Sequence, residues 1–194
     1  MEVVVKQIFF LLILCLGASA CESEYSQIVK EEIKSGVIHE DLILGLKMGQ
    51  TRKEFYDHCW QLNKQKLVAQ GPGNKYAKYI LTLDSTSQNS EKVEMLFYGI
   101  FDEDKIMHGM EMKMNYIKWS PWNEIYQSDQ LMEALKIHFS QAYPGNDFLE
   151  IDINEQTKPF AKVDGNRQIV MYPLGDKDVM AKITDLRHSD LLNK

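Results

Sequence analysis

"IMHGMEMKMNYIKW", Ile106 to Trp119, is the stretch on which the fold turns. His108, Met110, Met112, Met114 and Tyr116 alternate there with mostly polar residues. A period of two sends neighbours to opposite faces, so this is a strand with one face buried. Outward from it the strands multiply. "YAKYILTL" (Tyr76 to Leu83) and "KVEMLFYG" (Lys92 to Gly99) lie upstream, separated by the polar "STSQNS". "FDEDK" turns the chain into the methionine strand, and "SPWN" (Ser120 to Asn123) ends it. Beyond that, a helix is expected from near Ser128, whose hydroxyl suits an N-cap. Its apolar stripe is Leu131, Leu135, His138 and Ala142, with Met132 and Phe139 beside it. Four short strands come next: "FLEIDI", "PFAKV", "RQIVMY" and "VMAKIT". "DGN" at Asp164–Asn166 marks a hairpin, because glycine tolerates the positive φ of such turns.

Upstream of the first strand stands "GQTRKEFYDHCWQLNKQ", Gly49 to Gln65. Thr51 and Glu54 have capping-box spacing: the hydroxyl accepts from the third helical N–H and the carboxylate reaches back. Phe55, Cys59 and Leu62 recur at helical spacing, with Tyr56 and Trp60 beside them, which predicts an amphipathic helix of about four turns. "PGN" follows each helix, at Pro72–Asn74 and at Pro144–Asn146. The fold class is therefore α+β. Two consecutive helix-plus-antiparallel-meander units suggest a degenerate tandem repeat within residues 37–187, with halves 37–122 and 123–187 and a tail at 188–194.

The first twenty residues read as an address. "IFFLLILCL" (Ile8 to Leu16) is apolar, Lys6 precedes it, and Gly17, Ala18, Ser19 and Ala20 follow. A membrane-spanning helix needs about 20 apolar residues, and this run is too short. The pattern is that of a secretory signal peptide over residues 1–20. Two processing readings stay open. "ASA" before Cys21 satisfies ordinary signal peptidase, giving a secreted or periplasmic protein cut after Ala20. "ASAC" also resembles a bacterial lipobox, departing from it at Ala18, where leucine is usual. That resemblance implies a lipid on Cys21 and anchoring through more than one acyl chain. The expected home is the cell envelope, at the outer membrane. Residues 21–36 then form the lipidated N-terminus and a tether, or a short helix closed by Gly36.

The bulk composition excludes some partners. The chain has 194 residues and a net charge of −6. Removing residues 1–20 takes away one acid, Glu2, and one base, Lys6, and leaves that balance unchanged. Nucleic-acid binders need a basic face to displace phosphate counterions, so none is expected here. Docking on anionic lipid through a polybasic patch is excluded on the same ground. Three cysteines make no disulfide framework.

Three constellations remain. His108, Met110, Met112 and Met114 would share one strand face, and thioethers with imidazole suit Cu(I). Methionine is also a routine core filler, and core packing is the expectation, with no metal or cofactor. Tyr116, Trp119, Trp122 and Tyr126 surround a proline; they form either an aromatic binding patch or a hydrophobic clasp between the two units. His58-Cys59 invites a nucleophile–base reading, but adjacent helical residues do not face each other. Zinc spacing, phosphate loops and nucleophile elbows are absent from the sequence, and no enzymatic activity is expected.

"GQTRKEF" (Gly49 to Phe55), a short linker into a capped helix followed by a meander, resembles the opening Gly-x-Thr-x-x-Glu-apolar of SmpA/OmlA-type lipoproteins. Tandem copies of that module resemble the β-lactamase-inhibitor-protein fold, and the whole chain resembles small lipoproteins of Gram-negative anaerobes. It departs in its longer helix and in lacking a Gly-x-Pro just after it. The resemblance implies protein–protein scaffolding at the outer membrane. The expected function is a non-catalytic, lipid-anchored envelope protein that binds a protein partner; the alternative is a ligand- or copper-binding envelope lipoprotein.

Overall fold

Met110, Met112 and Met114 have no exposed surface, and the strand that carries them lies near the middle of a single antiparallel sheet. A computed structural model describes residues 23–83, 91–151 and 159–189. Residues 1–20, Cys21, the "STSQNS" loop, the end of "FLEIDI" and most of the tail lie outside the described residues. The chain is α+β. Among the described residues its α-helices are α1 (Glu24–Ser35), α2 (Arg52–Lys64) and α3 (Ser128–Ala142). The strands after α2 are β1 (Val68–Gln70), β2 (Ala77–Thr82), β3 (Lys92–Phe101) and β4 (Met107–Tyr116). Those after α3 are β5 (Leu149–Glu150), β6 (Phe160–Asp164), β7 (Arg167–Leu174) and β8 (Asp178–Asp185). The sheet order is β1-β2-β3-β4-β8-β7-β6-β5, so the last strand of each group meets the other at the centre.

The register sets the core. Ala77, Phe97, Met112, Ala181, Met171 and Phe160 form one row across the sheet, small beside large. Leu131, Leu135 and Phe139 of α3 are buried in the same core. Burying a side chain of this size contributes about 1.5–3 kcal/mol. The buried face of α3 is Leu131, Met132, Leu135 and Phe139, continued by the C-cap residue Tyr143, so the expected stripe is rotated: Ala142 is exposed and His138 is half-buried. Steps of four from Leu131 reach Tyr143, and the helix follows that row. Ser128 is the first helical residue rather than the cap, and its hydroxyl donates to the Gly175 carbonyl at 2.7 Å.

α2 has the capping box in full. Glu54 N donates to Thr51 Oγ1 at 3.2 Å, and Thr51 N donates to Glu54 Oε2 at 2.7 Å. β1 is a three-residue strand that the sequence reading missed. α1 is a formed helix, capped by Ser23 and stopped by Gly36 at φ 70°. Its Val29 packs on Val163 and Leu186. Val163 pairs with Gln168, whereas Lys162 pairs with the core residue Ile169. Alternation therefore puts α1 on the sheet face opposite α3.

The β6–β7 hairpin is where distant parts of the chain join. Gly165, at φ 54°, takes the first loop position, and a Cβ there would meet the Val37 carbonyl at 2.3 Å. Its N–H donates to Glu32 Oε2 of α1 at 2.7 Å. Asp164 accepts from Asn146 N at 2.7 Å and pairs with the buried Lys162 ammonium at 2.9 Å. Arg167 stacks over the Tyr143 ring at 4.5 Å.

Candidate functional site

α2 crosses the sheet from the β3–β4 hairpin towards the β1 edge. Arg52 N donates to the Lys105 carbonyl at one end, and Asn63 Nδ2 donates to the Val68 carbonyl at the other. Beside it the structure leaves an open cleft of about 630 Å³. Tyr56, Cys59 and Trp60 of α2 form one wall, the turn Asn74–Tyr76 the other, and Phe97, Gly99 and Phe101 the floor. The volume falls within the range of small-molecule sites, which are mostly apolar with a few polar groups.

Local chemistry builds this shape. A Cβ on Gly99 would come within 2.6 Å of the Phe101 ring, so glycine lets that ring fold inward. Phe101 then meets Phe55 edge-on at 5.6 Å, and the Arg52 guanidinium lies 5.0 Å above it. Tyr76 and Tyr98 meet edge-to-face at 5.4 Å on the other face of the sheet, because Tyr98 alternates with Phe97 and Gly99. Tyr56 and Trp60 remain about 60% and 59% exposed, with the Lys64 ammonium 5.4 Å from the Trp60 ring. The sequence reading set Tyr56 and Trp60 beside the apolar stripe of α2 and missed the cleft. Two aromatics one turn apart on the polar side of a helix were the available signal.

The aromatic group predicted around Pro121 divides. Tyr116 is buried and packs edge-on against Tyr126 at 5.3 Å. Tyr126 donates to Glu91 Oε1 at 3.1 Å, and Lys118 bonds the same carboxylate. Trp119 packs on the core with the Lys177 ammonium 5.1 Å from its ring. Trp122 stands apart at 90% exposure, and Ile117 and Ile125 on the same connection are also exposed.

The methionine face holds Met110, Met112 and Met114 together, without His108. Gly109 pairs with Ile100 and Met107 with Phe101, which leaves His108 as the extra residue of a bulge. Its ring stacks on His188 at 5.7 Å. Burial, helped by His188, lowers its pKa. Among the described residues, no group of three or more His, Cys, Asp or Glu is placed to hold a metal.

His58 and Cys59 diverge. His58 Nε2 bonds the Leu44 carbonyl at 2.7 Å. Burial pushes the Cys59 thiol up to about 11. At neutral pH it is a protonated, poorly nucleophilic group. Cys21 lies outside the described residues. Among the described residues, no helix is long and apolar enough to cross a membrane. Comparison with protein-family models, with curated proteins and with solved structures finds no match for this chain.

Proposed function

We propose that this chain is a non-catalytic protein of the bacterial cell envelope, anchored at the outer membrane by a lipid on Cys21. Its α+β domain is a protein–protein interaction module. The observation that carries the interaction reading is Trp122: an indole 90% exposed on a connection held by Tyr126 and Lys118. Tryptophan is enriched among interface hot spots, and a supported loop loses less freedom on binding. A photo-crosslinking residue at position 122 should yield a discrete adduct in intact envelopes, while one at the exposed Ile137 on α3 should not. Equal labelling at both positions would overturn the assignment. For the anchor, labelled palmitate should enter the protein, and Cys21→Ser should abolish the label and release the chain from membranes. A mature N-terminus with an unmodified Cys21 sinks that part.

A second reading, a ligand-binding envelope lipoprotein, is favoured by the cleft beside α2. The copper form of that reading draws no support from His108, which leaves the methionine face at the bulge. We also read the domain as a degenerate tandem repeat of SmpA/OmlA-like units. α2 and α3 each lead into four strands, and β4 and β8 pair antiparallel at the junction. Superposing Arg52–Tyr116 on Ser128–Asp185 tests this: a shared core of one helix and at least three strands upholds it, and a match confined to one hairpin overturns it.

A further inference from the structure

The cleft beside α2 differs in charge from the rest of the molecule. The chain as a whole carries 28 acids against 22 bases. Yet, among the described residues, Arg52 and Lys75 line the cleft and no aspartate or glutamate does. Arg52 has no carboxylate within ion-pair distance among the described residues; its guanidinium is held instead by the Phe101 ring at 5.0 Å. Its position is also unfavourable for the helix. Arg52 is the first residue of α2, where the helix dipole already presents positive charge. Glu54 offsets part of this, but its carboxylate is engaged by Thr51 N and Oγ1 at 2.7 and 2.8 Å. A cation kept at the positive end of a helix, beside an open aromatic cavity, marks a place where an anion is stabilised.

The walls specify the rest of the ligand. Tyr56 and Trp60 offer exposed rings on the α2 side, and the Phe101 ring, met edge-on by Phe55, lies on the floor beneath them. Aromatic rings favour offset or edge contacts with another flat ring. We propose that this cleft binds a small organic anion: an aromatic or fused-ring body carrying one carboxylate or similar group, with the ring against Tyr56 and Trp60 and the charge on Arg52. This rests on the ligand-binding reading given above and names its ligand class.

A matched pair of probes separates the two ideas. 2-Naphthoate and 2-naphthamide share a ring system and differ in charge. Both are titrated calorimetrically into the full chain in lipid nanodiscs, with empty nanodiscs subtracted. The expected result is about tenfold tighter binding of naphthoate, the scale of one charge-assisted hydrogen bond. Arg52→Gln should erase that preference, Trp60→Ala should weaken both probes, and Lys182→Gln, on a distant strand, should change neither. Thermal melts of each variant establish that it is folded; if Trp60→Ala fails to fold, Trp60→Leu replaces it. Failure of both probes to bind overturns the ligand-binding reading itself. Equal binding of the two probes, or a preference that survives Arg52→Gln, overturns the anion assignment and leaves the cleft a binding site for neutral rings.

Discussion

Trp122 is 90% exposed while Met112 has no exposed surface, so the same truncation to alanine should act in opposite ways. Trp122→Ala removes no core packing, and its effect on stability should stay within about 0.5 kcal/mol. Met112→Ala leaves a hole between Phe97 and Ala181 and should cost about 2–5 kcal/mol. Urea denaturation of both variants checks this; a Trp122→Ala loss of the Met112→Ala size would restore the clasp for that residue. At this scale the sequence was legible where a side chain's face follows from alternation alone, as for Met110, Met112 and Met114. It was not legible at His108, because a bulge is set by the register of the partner strand, and a single strand carries no record of that.

Helix α2 begins where the sequence placed it because its start signal is local: Thr51 and Glu54 are three residues apart and bond each other. Thr51→Ala removes the acceptor for Glu54 N and should cost about 1 kcal/mol, read as a shift in the denaturation midpoint with an unchanged slope. An unchanged midpoint would show that the box contributes nothing net. Helix α3 was harder to read. Its start is fixed by long-range bonds, Ser128 N to the Asp176 carbonyl and Ser128 Oγ to Gly175, which no local pattern encodes. Its buried face was misjudged by about one residue step, because His138 and Ala142 fit a stripe as well as Phe139 and Tyr143 do. The cleft was invisible for a related reason. Its wall residues lie on α2, on the turn after β1 and on β3, and only the sheet brings them together.

Acid should destabilise the whole domain in two steps. Burial lowers the pKa of His108, with His188 adding to it, and burial lowers that of His138. The unfolded state therefore takes up protons first, and stability falls as pH drops through about 6.5, the ordinary histidine value. Asp185 titrates later. Its burial raises its pKa, but bonds from Arg187 and Asn166 outweigh that and hold it below the usual carboxylate range. The stability it adds is present above about pH 4 and is lost as pH falls below that. Melting temperature against pH should show both steps, His138→Gln should reduce the first, and Asp185→Asn should reduce the second. A profile flat from pH 7 to 5 would contradict the histidine assignment.

The pairing of β4 with β8 dictates how the domain is completed. Gly109 and Thr184, partners in that ladder, are far apart along the chain. Contacts of such sequence separation form late, because loop closure must precede them. Until Asp178–Asp185 has emerged, β4 and β7 are both open edges, and exposed edges invite pairing with other chains. If the chain is exported as proposed, N-terminus first, its seam stays open until Asp178–Asp185 arrives, and a chaperone's shelter would be needed for that interval.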